Sequence, residues 1–397
     1  MVPQSAPQAL RAGHVFDGSQ AHGPGIVLVE NGLIRDVDLT GSVPPEHATV
    51  TDFGPDAWLL PGLVDAHVHL CWDAGPDAVD HVANGDSGAL LDTARAAATT
   101  ALHTGVTTVR DLGDRDYLAL ALRDQMPPTQ RPEIVAAGPP ITTRGGHCHF
   151  LGGEVEGADA LREAVRQRAE RGCDVVKVMA SGGNMTPGSS PLARQYGLAE
   201  LQLIVEEARR HGLSTAAHVH AAEAIGDVLD AGFDTLEHFS FLTADGAGLQ
   251  HDLLDQVVQR GTFVSLTLGY LQGGELPSAL AARIDALIDV MAKVVASGAR
   301  IVVGTDAGIE PGKPHDIFPH ALAQLAQLGM PAAKVLRSAT AEAAEAVGLK
   351  GRKGVLRPGA DADLLVVGSS PIADLGAITD IRAVYRAGNR LPRDDRA

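Results

Sequence analysis

The sequence predicts an α/β protein centred on a (β/α)8 barrel. Three observations carry that expectation. Eight short β-rich segments run through the middle of the chain, longer stretches of helical period lie between most of them, and the eight units together fill about 290 residues, the size of such a barrel. The segments are GLVDAHVHL, GVTTVRDLG, EIVAAGP, DVVKVMASGG, STAAHVHA, DTLEHFSF, TFVSLTLG and RIVVGTDAG. A six-stranded doubly wound sheet is the structural rival. It asks for fewer units and for a G-x-G-x-x-G after its first strand, and no such motif stands there.

The first sixty residues read as short strands, and GIVLVENGLIRDVD is two extended runs around Asn31-Gly32, where both turn positions must tolerate positive φ. Within the central region, ADALREAVRQRAERG and LAELQLIVEEARRHG are clear helices, each closing on basic residues and then glycine, as suits a helix C-terminus. The tail returns to strands, DADLLVVGSS and IRAVYRAGNRL, the second with a turn at Gly388-Asn389. No repeat beyond the βα alternation and no low-complexity segment interrupts this order.

Composition narrows the function classes. Of 397 residues, 45% are hydrophobic and 20% charged, too apolar for a disordered chain. With 45 glycines and 23 prolines the chain can make many tight strand–loop–helix joints. Acidic residues outnumber basic ones 49 to 32, a net charge of −17, which argues against nucleic-acid or anionic-membrane partners. Only 4% of residues are aromatic, too few for the stacking platforms of single-strand binding. Cys71, Cys148 and Cys173 are odd in number and widely spaced, so a disulfide framework is not expected. No charged start with an apolar run marks a signal peptide, and no run reaches the ~18 residues of a membrane span. A soluble, cytoplasmic, globular protein is the expectation.

A barrel places its chemistry at the C-terminal ends of its strands. Those ends carry His67 and His69 on the first strand, Lys177 on the fourth, His218 on the fifth, His238 on the sixth and Asp306 on the eighth. His67 and His69 lie two apart and so share one strand face, and two imidazoles on one face can bind one metal ion. A single core histidine is unremarkable, and Asp306 alone could merely cap a turn. Lys177 stands among apolar neighbours in DVVKVMA, where an unpartnered ammonium is costly. A neutral amine there could ligate a metal, or react with carbon dioxide to give a carbamate whose two oxygens bridge two cations. Six such residues at five strand ends are not six coincidences.

PGLVDAHVHL, VKVMASGG, AAHVHAAEAI, DTLEHFSF and VGTDAG together resemble the metal-dependent amidohydrolase superfamily, nearest its prolidase-like and imidazolonepropionase-like branch. GPPITTRGGHCHF, SGGNMTPGSSPLARQY and GVLRPGADADLLVV extend the likeness over essentially the whole chain. The resemblance implies a distorted (β/α)8 TIM barrel (61–351) beside a small β-sandwich made from both chain ends (1–60 and 352–397). It implies that His67, His69 and Asp306 hold a buried metal and His218 and His238 an exposed one, with Lys177, as N6-carboxylysine, bridging them. Two divalent ions, zinc preferred, follow, and relatives are often homo-oligomers.

The same resemblance implies hydrolysis of a C–N amide bond by a metal-bridging hydroxide, with Asp306 as general base and then general acid. His220, on the face of His218, is the candidate donor to the substrate carbonyl, with an outer-shell or surface role as its alternative. The loop TTRGGHCH offers His147 as a substrate contact, Arg144 as a carboxylate clamp or a plain surface residue, and His149 without an assigned role. Tyr196 is a pocket wall or helix-entry packing. Cys71 and Cys148 read as small buried hydrophobes. Dipeptides or N-acyl amino acids are the leading substrates; cyclic amides, ureas or carbamates and aryl amides are the alternative, and a non-catalytic homologue is remote because no ligand is missing. G-x-S-x-G, G-x-x-x-x-G-K-[ST] and H-E-x-x-H are all absent.

Overall fold

The computed structural model describes residues 7–41, 43–271 and 283–392. The remaining parts of the expected terminal and central units lie outside the described residues.

All eight expected central strands are present, six of them shorter than their sequence signals: β1 (Leu63–Val68), β2 (Val106–Asp111), β3 (Glu133–Ala136), β4 (Val175–Met179), β5 (Ser214–Ala221), β6 (Thr235–Thr243), β7 (Phe263–Ser265) and β8 (Arg300–Val302). They pair in parallel as two runs, β1–β2–β3 and β4–β5–β6–β7–β8. Single parallel bridges join the runs at both ends, Ile141 with Val178 and Val68 with Ala307. One set of strand side chains, including Val64, Ala66, Val135, Val175, Ala216 and Val302, forms a cluster that Ala343, Ala344 and Val347 of a late helix help to close. The opposite set packs against the intervening helices.

Those helices form where the sequence period demands. Ala158–Arg171 buries Leu161, Ala164, Val165 and Arg168, and Leu198–Arg210 buries Leu201, Ile204, Val205 and Ala208, the same i, i+3, i+4, i+7 stripe. Gly172, at φ +85°, ends the first in the left-handed conformation that glycine adopts without a Cβ clash.

The chain ends supply two further sheets. One orders Leu33–Asp38, Gly25–Glu30, Gln8–Ala12 and Thr49–Asp52; the other contains Ile381–Arg386, Leu364–Val367, Trp58–Pro61 and His14–Phe16. Leu10, Val27 and Ile34 from the first share an apolar cluster with Val15, Leu59, Leu364 and Tyr385 from the second. The Asn31-Gly32 turn is as expected, with φ +53° and +80°. The second turn is centred one residue earlier than expected, on Ala387-Gly388, because Arg386 pairs with Asn389 and leaves Asn389 in the strand. Among the described residues no helix is long and apolar enough to cross a membrane.

Candidate metal centre

The C-terminal ends of β1, β4, β5, β6 and β8 meet at the floor of one cavity of about 650 Å³. His67, His69, Lys177, His218, His238 and Asp306 all line it, as do His147 and His220. Register explains part of this convergence. Met179 pairs with His218 and Val219 with His238, so the ends of β4, β5 and β6 lie side by side.

Each imidazole has one nitrogen held in place. His67 Nδ1 meets Glu237 Oε2 at 2.8 Å, and His69 Nδ1 meets the Gly113 carbonyl at 2.9 Å. Their Nε2 atoms then lie 3.3 and 3.1 Å from Asp306 Oδ1. His238 Nδ1 is held by Thr267 Oγ1 at 2.9 Å, His220 Nδ1 by Ser240 Oγ at 2.7 Å, and His218 Nε2 by the Gly182 carbonyl at 3.1 Å. Such partners fix tautomer and ring direction and leave the second nitrogen for a ligand.

The donor chemistry fits metal binding. His67, His238 and Asp306 form one group whose ligand atoms all lie within 4.8 Å of one another; His218, His220 and His238 form a second. His238 is common to both. His220 joins His218 and His238 in the second group, and His69 belongs to neither group, although its Nε2 lies 3.1 Å from Asp306 Oδ1. Non-glycine residues at positive φ recur at these strand ends, namely His238 (+70°), Thr267 (+48°) and Asp306 (+60°). Backbone held in that region is strained, and such strain concentrates at functional sites.

Electrostatics favour the neutral, metal-binding form of His67, His218, His220 and His238, whereas at His69 burial is outweighed by the Asp306 carboxylate, which raises that imidazole. Burial lowers His67 and His220 to about 4, with Lys177 acting in the same direction. His218 and His238 are lowered further, by burial and by the neighbouring imidazoles. Burial raises the Asp306 carboxyl, but His67, His69 and Lys313 outweigh it and hold the group well below the usual carboxylate range. Lys177 is 1% exposed, and its ammonium makes no hydrogen bond or ion pair among the described residues. Burial brings its ammonium down to about 8, against the opposing pull of Glu237 and Asp306.

Beyond the ligand candidates, His147 also lines the cavity. It is 4% exposed, bonded to Thr186 Oγ1 at 3.2 Å, with its ring centroid 4.7 Å from that of His218. Gly183 permits this approach, since a Cβ there would lie 2.4 Å from His147 Nε2. Arg144 does not line the cavity: its side chain is 85% exposed, near Glu156, because its loop turns the guanidinium to solvent. Tyr196 is also outside the lining. It is buried at the entry to Leu198–Arg210, with its hydroxyl donating to the Val155 carbonyl at 2.7 Å. His149 opens a short 3-10 turn and does not line the cavity. Burial pushes the Cys148 thiol up to about 12 and raises Cys71 as well, so neither is an activated thiolate.

Several residues here were not singled out in the sequence. Glu237 is fully buried and links His67 to Arg110, whose Nη2 donates to Glu237 Oε1 at 2.8 Å. Asp65 accepts from Thr305 Oγ1 at 2.6 Å and from the His67 and Thr305 amides, locking β1 to the strand end that carries Asp306. Glu237 lies beside His238 in a strand, and a buried acid next to a ligand histidine was the available signal.

Comparison with known proteins agrees with this chemistry. The family model described as the amidohydrolase family matches residues 58–391. Ochratoxinase of Aspergillus niger is 29% identical over 363 residues, covering 82% of this chain and 73% of that protein. An uncharacterised protein of Mycobacterium tuberculosis is 30% identical over 342 residues, with 81% of each chain covered. Among solved structures, a Xaa-Pro dipeptidase with methionine bound in its active site superimposes with a TM-score of 0.85 at 25% identity, over 98% of this chain and all of that one. The chain therefore belongs to the amidohydrolase family and is a metal-dependent hydrolase of C–N bonds.

Proposed function

We propose that this enzyme hydrolyses the amide bond of dipeptides or N-acyl amino acids bearing a bulky apolar group, using two divalent ions. The observation that carries the reading is a floor of pinned imidazoles, Asp306 and a buried Lys177 without a side-chain partner, beneath a wall that is largely apolar but carries Arg283 and Glu310. Similarity to ochratoxinase and to a Xaa-Pro dipeptidase supports it. The strand pairings and bridges support a distorted (β/α)8 barrel over 61–351, and the shared apolar cluster of the terminal sheets supports a β-sandwich from 1–60 and 352–397.

His67, His69, Lys177, His218, His238 and Asp306 would hold the ions, with Lys177 as N6-carboxylysine and zinc as the preferred metal for an imidazole and carboxylate set. Bound there, the ions would supply Lewis acidity and a water of lowered pKa. Asp306 then takes the proton of the attacking water at its carboxylate and returns it to the leaving nitrogen. His220, with Nδ1 on Ser240, has Nε2 available to donate to the substrate carbonyl. His147 contacts the substrate from the other side of His218. Leu266, Leu268, Leu287, Met291 and Ile309 exclude water from the acyl group. Arg283, in the cavity lining and without an acidic partner among the described residues, takes the role expected of Arg144 and meets a substrate carboxylate.

One observation favours the second reading, a neutral carbamate, urea, cyclic amide or aryl amide: Glu310 also lines the cavity and would repel an anionic substrate. A substrate library read by mass spectrometry, with zinc-loaded protein and an Asp306→Asn control, separates the two. Cleavage of dipeptides or N-acyl amino acids supports the first; turnover confined to neutral compounds replaces it with the second.

A further inference from the structure

The cavity contains a second buried lysine that the proposed reaction does not use. Lys313 is 2% exposed and, like Lys177, makes no ion pair within 4.0 Å among the described residues. Burying an ammonium is costly, so its surroundings must answer for its presence. Its Nζ donates to two backbone carbonyls, that of Thr267 at 2.8 Å and that of Thr305 at 2.7 Å. The ring of Tyr270 lies over the ammonium, 4.4 Å from Nζ to the centroid, and the Tyr270 hydroxyl donates to Glu310.

Neither carbonyl belongs to an ordinary position. Thr267 lies two residues beyond β7 at φ +48°, and its Oγ1 is the group that holds His238 Nδ1. Thr305 directly precedes Asp306, which stands at φ +60°. One ammonium therefore ties the strained turn beside Asp306 to the strained turn that steers His238. The intervening sequence, Ala307-Gly-Ile-Glu-Pro-Gly-Lys313, folds back so that this is possible. The Gly308 amide donates to the Lys313 carbonyl at 2.7 Å, and the Lys313 amide donates to the Glu310 carbonyl at 2.9 Å across Pro311-Gly312, a β-turn with proline at its second position. Gly308 at φ +105° admits the reversal, and a Cβ there would meet the His69 carbonyl at 2.5 Å.

We infer that Lys313 is a positioning residue of the metal centre, its ammonium clamping the Thr267 and Thr305 carbonyls so that His238 and Asp306 are aimed at the same point. The inference rests on the reading of His238 and Asp306 as metal ligands. A neutral side chain of equal length would leave both carbonyls without their donor and free the two turns to relax independently. Metal affinity and turnover would suffer together, while substrate binding on the apolar wall would change little.

The test uses the full-length protein with Lys313→Met and Lys313→Ala. Metal affinity is read by competition with a chromophoric chelator, which needs no substrate, and folding by circular dichroism melting. For folded Lys313→Met the expected result is metal affinity and kcat each lower by about 10- to 100-fold, with KM within about threefold. Ethylammonium chloride is expected to restore part of the metal affinity of Lys313→Ala, and tetramethylammonium chloride, which has no N–H to donate, is not. Wild-type metal affinity in folded Lys313→Met overturns the inference. If Lys313→Met does not fold, the alanine variant decides: equal response to the two ammonium salts overturns the inference, and selective recovery with ethylammonium supports it. Failure of the wild type to cleave any amide would count against the proposed function alone, since the chelator measurement stands without turnover.

Discussion

Glu237 accepts a hydrogen bond from His67 Nδ1 at 2.8 Å across 170 residues of sequence. Its other oxygen receives Arg110 Nη2 at 2.8 Å and Thr235 Oγ1 at 2.7 Å. Burial raises the Glu237 carboxyl, yet Arg110 and His67 outweigh it and bring the group down to about 2. The carboxylate thus stays charged in a fully buried place and fixes the His67 tautomer, as outer partners of ligand histidines do. Glu237→Gln is expected to weaken metal binding by about 10- to 100-fold in a chelator competition. Glu237→Ala is expected to cost about 3–5 kcal/mol in denaturant unfolding as well, because Arg110 is left buried without its partner. Wild-type metal affinity in Glu237→Gln would show that His67 does not need this anchor.

Lys177 gives a pH dependence. Carboxylation requires the neutral amine, and with the ammonium lowered to about 8 the neutral fraction grows as pH rises toward that value and saturates above it. At fixed dissolved carbon dioxide, activation of the apoprotein by metal is expected to accelerate about tenfold per pH unit below about 8 and to level off above it. A stopped-time activation assay between pH 6 and 9 checks this, and a rate indifferent to both pH and carbon dioxide would remove the carbamate. Lys177→Ala is expected to hold well below two metal ions per chain by elemental analysis.

The charge on the cavity wall is tested at two arginines. Arg283→Gln is expected to raise KM for N-acyl amino acids by about tenfold, the loss of one charge-assisted hydrogen bond, while leaving their neutral amide analogues unchanged. Arg144→Ala, on a solvent-facing side chain, is expected to stay within about twofold of wild type on both. A larger effect at Arg144 than at Arg283 would reverse the assignment.

Gly183 leaves the room that His147 occupies. Gly183→Ala puts a Cβ 2.4 Å from His147 Nε2, which must shift. A drop of about tenfold or more in kcat/KM with unchanged metal content is the expected outcome, since the imidazole is displaced from the cavity and the metal candidates keep their anchors. Kinetics indistinguishable from wild type would remove His147 from substrate contact.

Much of this was legible in the sequence, for physical reasons that can be named. His67 and His69 lie two apart on a strand, and Lys177 interrupts an apolar strand, so local pattern alone exposed them. The helices Ala158–Arg171 and Leu198–Arg210 announced themselves by period and closing glycine. Arg110 and Lys313 were not legible, and Glu237 only through its place beside His238, because their meaning lies in partners brought near by folding: Arg110 is 127 residues from Glu237, and Lys313 acts on a carbonyl 46 residues earlier. Arg144 and Tyr196 show the converse. Their residue types suited a binding pocket, but loop direction decides where a side chain points, and that direction follows from turns such as the one at Gly145, φ +63°.

The most direct test of a two-metal amide hydrolase is hydrolysis of a cleavable N-acyl amino acid or dipeptide as apoprotein is titrated with zinc, beside Asp306→Asn. Activity rising to a plateau at about two ions per chain, and a loaded Asp306→Asn that folds but loses about a thousandfold or more in kcat, is the expected result. Full turnover without added metal, or an Asp306→Asn variant keeping a tenth of the wild-type rate, would contradict it.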